Sequence, residues 1–425
     1  MNKRKILAGI IFLGLTIILT AIPCIAAKEK VDPIILGVAL PMGHLGGWGC
    51  EKGMRLAVEE INAKGGVNVA GVRRPFKLEV LDTRDLEPGV PISEGLLAVE
   101  KLILDKKVDF LVGGPERSEG ALAALDLISK FKKVHIQSGG CLSPAYTKKI
   151  AENYDKYKYC FRITGDVMEL MGDMIKTLEV IRAQQKLDKA FIIVQDVAHA
   201  RAAGDIVKAG LEKKGWSIVG HEKWPTGASD FSTGLFKARE AKAQILFSWF
   251  DMPESSVMVK QWYDMKLPML PIGYIDPSLD PNFWNASKGN CAYVVGSCYP
   301  KAGAIGTSAL PWSGKFVTSY EKKYGIMPEG QWAATGYMGP YVLADAIERA
   351  KTVDSEAVIA ALEKIDMAGV WGRTKFDPRS HQLISSDDPK QGAVACWAQW
   401  IDGKRLAVFP PKIASQQLTL PPWMK

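Results

Sequence analysis

The chain has no CxxC, no HExxH and no GxSxG, and its glycine-rich stretches match neither GxGxxG nor GxxxxGK[ST]. These absences remove the usual signatures of a thioredoxin-like site, a zinc ribbon, a zinc peptidase, a serine hydrolase and a phosphate loop. Histidine is scarce: His44, His135, His199, His221 and His381 have no ligand-like spacing, so no metal centre is expected. No cofactor is expected either, and nothing points to a catalytic acid pair, so the chain reads as a binding protein rather than an enzyme. Low-complexity and collagen-like repeats are missing from its 425 residues. The formal charge is +8, and Lys3, Arg4 and Lys5 in the leader leave +5 for the remainder, spread without a basic stripe. Nucleic acid is therefore not an expected partner.

What is present begins with a leader. Asn2-Lys3-Arg4-Lys5 is a basic n-region, Ile6 to about Ile22 is almost wholly apolar, and Ala26-Ala27 precede Lys28-Glu29-Lys30. Residues 1–27 read as a cleaved signal peptide, with an uncleaved anchor helix as the alternative. A lipid anchor at Cys24 is not favoured, because Pro23 precedes it. Later apolar runs are all broken by Gly, Pro or charge, so an exported, periplasmic or extracytoplasmic protein is expected. Six further cysteines, Cys50, Cys141, Cys160, Cys291, Cys298 and Cys396, allow fifteen pairings that spacing does not decide. Cys141 and Cys160 flank a polar loop that a disulfide would close. Cys291 and Cys298 bracket a strand-like run and lie too far apart to pair if it is straight.

Short β-rich runs alternate with amphipathic helical ones. Strands are predicted at Ile34–Leu40, Phe76–Asp82, Val108–Gly113, Val134–Ser138, Ala190–Gln195, Ser217–Glu222, Gln244–Trp249 and Met269–Gly273. Helices are predicted at Glu51–Lys64, Ser93–Lys106, 118–131, 166–184, 200–214, 230–241 and 253–266. This order implies α/β architecture with helices on both faces of parallel sheets. The series is too long for one sheet and breaks near Phe161–Asp166, so two doubly wound parallel-sheet lobes are expected. Open parallel sheets bind ligands beyond the carboxyl ends of their strands, which places a ligand cleft between the lobes.

The loops after strands supply the candidates. Pro41–Gly49 presents Trp48 near a helix N-terminus, where free amides favour an anion. In Gly113–Ser118, Ser118 is a plausible helix N-cap whose hydroxyl is also suited to a ligand carboxylate, and Arg117 offers a bidentate contact. Ser138-Gly-Gly-Cys-Leu-Ser-Pro144 allows close backbone approach through Gly140, Cys141 and Leu142. Asp251 and Asp276 follow strand ends and suit a ligand ammonium, and His199 and Tyr274 are lesser candidates in loops of the same kind.

At these residues the chain resembles the leucine/isoleucine/valine-binding type of periplasmic solute-binding protein of ABC importers. The similar stretches are ILGVALPMGHLGGWGCEKGMRLAVEEINAKGGV (35–67), LEVLDTRD (78–85), FLVGGPERSEGALA (110–123), CFRITGD (160–166), GHEKWPTGASDFSTGLFKAREAKAQILF (220–247) and AQWIDGKRLAVFPP (398–411). The resemblance implies a hinge with three crossovers, lobe one holding 31–164 plus 301–390 and lobe two 165–300 plus 391–425. It implies a monomer that hands a small-molecule solute to ABC permease membrane subunits. It places the family's binding tryptophan on Trp48, its carboxylate site on Arg117-Ser118 and Gly140-Cys141-Leu142, and its ammonium ligands near His199, Asp251 and Ile275-Asp276. Three departures alter that clamp. Leu142 replaces a threonine, Asp251 stands where a tyrosine is usual, and Ile275 takes the acidic position with Asp276 one residue on. Amino acid, amide, and small apolar or aromatic carboxylate all remain open as solute, Trp249, Phe250 and Tyr274 suiting a larger apolar one. A ligand-sensing module signalling to a membrane receptor would share this fold.

Overall fold

A computed structural model describes residues 31–297 and 303–424. The leader, Cys24 and Cys298 lie outside the described residues. Twelve strands build two main sheets. The first holds β1 (Ile34–Leu40), β2 (Phe76–Asp82), β3 (Phe110–Gly113), β4 (His135–Gln137) and β5 (Cys160–Arg162), all parallel, in the order β2-β1-β3-β4-β5. β1 and β3 are apolar throughout and almost wholly buried, as inner strands covered on both faces must be. β2 lies at an edge and is half-exposed along most of its length.

The second sheet holds β6 (Lys189–Gln195), β7 (Ser217–Trp224), β8 (Ile245–Phe250), β9 (Leu270–Ile275), β10 (Val295–Ser297), β11 (Trp397–Ile401) and β12 (Lys404–Phe409), in the order β12-β11-β10-β9-β8-β6-β7. Its first five strands in sequence are parallel, while β11 and β12 add an antiparallel edge. Asp402 and Gly403 both take positive φ at the turn joining β11 to β12, the backbone that a two-residue hairpin requires. The chain passes from the first sheet to the second after β5, and the stretch between β10 and β11 returns its helices to the first lobe before the chain re-enters the second sheet.

The first passage is the most firmly held. Arg162, fully buried, donates to the Gln382 side chain at 2.6 Å, the Cys141 and Ser143 carbonyls at 3.1 and 2.8 Å, Thr147 Oγ1 at 3.3 Å and Asp166 Oδ2 at 3.2 Å. Asp166 then opens helix α3 (Val167–Gln185) with a capping box. Its carboxylate accepts from the Met168 and Glu169 amides, and Glu169 returns a bond to the Asp166 amide.

Lobe one is closed on one face by two crossed helices distant in sequence, α1 (Leu45–Ala63) and α5 (Gly330–Ala350). The other labelled helices are α2 (Ser118–Lys130) and α4 (Ala198–Lys213). Gly53 and Gly336 let the backbones of α1 and α5 touch. A Cβ on Gly336 would lie 2.0 Å from the Cys50 carbonyl oxygen, and one on Gly53 would lie 2.1 Å from that of Ala333. Gly336→Ala is accordingly expected to cost about 1–3 kcal/mol, since the helices must part to admit one methyl. Urea denaturation measures this, and a loss under about 0.5 kcal/mol would contradict so tight a crossing.

Cys50, Cys141, Cys160 and Cys291 are buried free thiols, so no disulfide closes the 141–160 loop. The Cys141 thiol lies near Ser118 and Arg162, and Tyr146 lies near both Cys141 and Cys160.

Candidate functional site

The strand ends of the two sheets form the walls of a cleft. On lobe one, α1 starts at Leu45 rather than at the expected Glu51, so most of the glycine-rich stretch is helix and not loop. His44 is the N-cap, its Nδ1 accepting the Gly46 amide at 3.1 Å. The glycines admit neighbours that a side chain would exclude: a Cβ on Gly47 would strike the Pro41 carbonyl oxygen at 2.0 Å, and one on Gly46 would meet Glu116 Oε2 at 2.7 Å. Trp48 falls in the first turns of α1, half-buried, with Lys52 Nζ 4.1 Å over its ring. Lys52 in turn pairs with Glu329 at 3.5 Å. A second tryptophan, Trp332, packs against Gly46 and meets the His44 ring edge-on at 6.4 Å.

Ser118 is the first residue of α2, and Arg117 holds the N-cap position. The cap is supplied from β2's end instead. Buried Asp85 accepts the Arg117 amide at 2.7 Å and also takes a bond from the Thr83 hydroxyl. Ser118 directs its hydroxyl at the Cys141 thiol, and the Arg117 guanidinium pairs with Glu119 at 3.3 Å on the surface.

Glu116 is a site residue that its sequence context does not mark. It is buried at the floor of this wall, within contact of Gly46, Gly139 and Gly140. Its carboxyl lies beside Gly140, and Oε1 has no hydrogen-bond partner. Burial, reinforced by the nearby charge of Asp85, pushes its pKa up to about 8, so it is a neutral acid at pH 7. No local signal marks it, because an acid between two short strand-end turns reads as exposed.

The 138–144 loop is largely engaged within the protein. The Gly139 amide donates to the Gly113 carbonyl at 3.0 Å and the Cys141 amide to the Glu116 carbonyl at 2.8 Å. Cys141, buried, adopts φ of +67°. Leu142 packs against the lobe-two core, and its carbonyl accepts from the Val167 amide. Gly140, Cys141 and Leu142 thus serve the floor and the crossover, and of the amides expected to hold an anion at 139 to 142, those of Gly139 and Cys141 have internal acceptors.

On lobe two, His199, exposed in the first turn of α4, forms a short bond from Nε2 to Asp251 Oδ2. That bond holds the imidazole above its usual pKa, against the opposing effect of burial. The buried Gln195 side chain fixes Asp251 by accepting its amide at 2.9 Å. One strand over, the Tyr274 ring stacks on buried Trp249 with centroids 5.1 Å apart, and its hydroxyl donates to Asp276 Oδ1 at 3.3 Å. Desolvation first, and the Asp251 charge second, push the Asp276 carboxyl up to about 7.

The two walls lie within each other's field. His44 is pushed below its usual pKa by burial, and the opposing pull comes from Asp251 across the cleft and then Asp85. His199 feels Glu119 of lobe one. The structure thus brings His199 to Asp251, Tyr274 and Asp251 to Asp276, and Ser118 to Cys141, while Trp48 is engaged by Lys52. Among the described residues no group of three or more His, Cys, Asp or Glu is arranged to hold a metal, and no helix is long and apolar enough to cross a membrane. A separate cavity of about 1260 Å³ lies outside the cleft, on lobe one beside Trp312, Tyr337 and Tyr341.

This architecture matches known proteins over nearly its full length. "Leu/Ile/Val-binding protein homolog 7" of Brucella abortus (strain 2308) is 25% identical over 385 residues, 87% of this chain and 89% of that protein. A Silicibacter pomeroyi structure, provisionally named a branched-chain amino acid ABC transporter, superposes with a TM-score of 0.79 at 19% identity, covering 92% of this chain and all of that one. A Rhodopseudomonas palustris BisB5 solute-binding protein of an ABC transporter, in complex with 3,4-dihydroxybenzoic acid, gives 0.66 at 21% identity, covering 88% and 95%. The periplasmic binding protein family profile matches residues 41–386, more than half of the chain. These proteins are solute binders and not enzymes, and this chain belongs to the periplasmic binding protein family.

Proposed function

We propose that the chain is the extracytoplasmic solute-binding component of an ABC importer. Lobe one (31–164 plus 301–390) and lobe two (165–300 plus 391–425) close on a small solute and present it to permease subunits. The observation that carries this reading is the pair Asp251 and Asp276 at the ends of adjacent strands β8 and β9, facing the His44 and Arg117-Ser118 wall of lobe one. The pair suits a solute amino group, and Tyr274 over Trp249 gives it an apolar seat. Binding shifts an open–closed equilibrium by the solute's preference for the closed cleft. No step of chemistry is required.

A thermal-shift panel of amino acids, amides and aromatic acids identifies the solute, since a ligand of the folded state raises the melting temperature by mass action. Calorimetric titration of Asp251→Ala and Trp48→Ala then tests the cleft. The expected loss for Asp251→Ala is tenfold or more in Kd, about 1.4 kcal/mol. Normal binding by both variants would place the site elsewhere.

A further inference from the structure

We propose that the cavity on lobe one is a second binding site, separate from the cleft, for a small organic acid with an aromatic body. The cavity, about 1260 Å³, opens between the end of α1, the helix Pro311–Tyr324, α5 and the 367–374 hairpin. It exceeds the roughly 300–1000 Å³ usual for small-molecule sites, so a two-ring solute has room. Three rings form one wall. Trp312 meets Tyr341 edge-on with centroids 5.1 Å apart and Tyr337 edge-on at 6.4 Å, and the two tyrosine rings are 5.0 Å apart. Trp312 and Tyr341 are only half-buried, which leaves ring surface for a ligand to cover. Their polar atoms are already placed. Trp312 Nε1 donates to the Tyr337 hydroxyl at 3.3 Å, and the Tyr337 and Tyr341 hydroxyls donate to Glu60 Oε2 at 2.5 and 2.7 Å. That network fixes the rings and engages the Glu60 carboxylate.

Charge decides the class of ligand. Five cations border the cavity, Lys64, Lys315, Arg373, Lys375 and Lys390, against two acids, Glu60 and Asp366. Asp366 is held by Arg373 at 2.5 Å and by Lys375 at 3.5 Å. Acids on the flanking elements are committed as well: Glu59 pairs with Lys323, Asp345 with Arg349 at 3.6 Å and Asp388 with Lys412 at 2.9 Å. Among the described residues Lys64, Lys315 and Lys390 are left without a carboxylate partner, Lys64 lying instead over the Tyr341 ring at 5.8 Å. A solute carboxylate supplies the missing charge to this rim while its ring lies on the Trp312 wall. A cationic solute would meet three unpaired ammonium groups. The site uses no residue of the cleft, so its failure leaves the solute-receptor reading untouched.

The test is calorimetric titration of the purified chain at pH 7.5 with 2-naphthoate and indole-3-acetate, each set against the neutral alcohol of the same ring system, 2-naphthalenemethanol and indole-3-ethanol. At least one acid is expected to bind with Kd below about 1 mM and roughly tenfold more tightly than its alcohol. Lys315→Glu and Lys390→Glu, both exposed, are each expected to weaken the acid about threefold or more, and Trp312→Ala about fivefold. Trp48→Ala and Asp251→Ala are expected to leave it unchanged. Circular dichroism and melting temperature verify folding, and if Trp312→Ala does not fold, the two lysine variants decide. Absence of acid binding, an acid that binds no better than its alcohol, or affinity unmoved by both lysine variants overturns the inference. Acid binding that is lost in Trp48→Ala or Asp251→Ala places the acid in the cleft and overturns it too.

Discussion

Glu116→Gln is expected to stabilise the protein by about 3 kcal/mol at pH 7, an unusual sign for a substitution in a buried site. The folded-state carboxyl titrates near 8, whereas an unfolded glutamate titrates near 4.5. Below about pH 4.5 both states hold the proton, and burying the acid carries no ionisation penalty. As pH rises from 4.5 to 8 the unfolded chain ionises and the folded chain does not, so stability is lost at about 1.4 kcal/mol per pH unit. The loss levels off once the folded group also ionises. Asp85, itself buried and bound to the Arg117 amide, is the charged neighbour that reinforces the shift. Glutamine keeps the shape of the side chain packed against Gly46, Gly139 and Gly140 and does not ionise. Urea denaturation of parent and variant at pH 5, 7 and 8 gives the answer. The gain should be small at pH 5 and largest at pH 8, and a difference that does not change with pH would show that Glu116 is not held neutral.

Arg162→Met is expected to cost about 3–5 kcal/mol, the range for removing one partner from a buried charged network. Methionine fills much of the volume but leaves Asp166, Gln382, Thr147 and two carbonyls without their shared donor. Because Gln382 belongs to a strand-like segment paired with Arg162, the substitution also loosens a contact between chain segments about 220 residues apart. Chemical denaturation is the measurement. A loss below 1 kcal/mol would mean that water replaces the guanidinium at little cost. Arg162→Met with Asp166→Asn should recover part of the loss, since the second change removes the uncompensated carboxylate.

The sequence was most informative where the determinant is local. Ile34–Leu40 and Phe76–Asp82 are strands at the predicted limits, because a continuous apolar run and an alternating edge pattern each suit one position in a sheet. The Phe161–Asp166 break is the first passage between sheets, and the Asp166–Glu169 capping box that follows depends only on residues three apart. Where the cause is distant, the reading shifted. Glycines at 46, 47 and 49 argue against helix by propensity. They are helical because Pro41, Glu116, Trp332 and Glu329 press against them from other elements. Ser118 has the composition of an N-cap, but Asp85, 33 residues earlier, supplies the capping carboxylate to the residue before it.

Composition and periodicity by themselves determined two α/β lobes with a cleft at their strand ends, together with the set of loops that border it. Those properties follow from the 2.0 and 3.6 residue periods and from the geometry of parallel sheets. The tertiary structure decided which of the bordering groups remain available. It buried Glu116 beneath the loop it caps, turned Arg117 to Glu119, joined His199 to Asp251 and set Asp276 beside them. Apart from the Arg117–Glu119 pair, these depend on desolvation and on partners distant in the chain, and a charge that is paired or neutralised in the fold has the same letter in the sequence as one that is free.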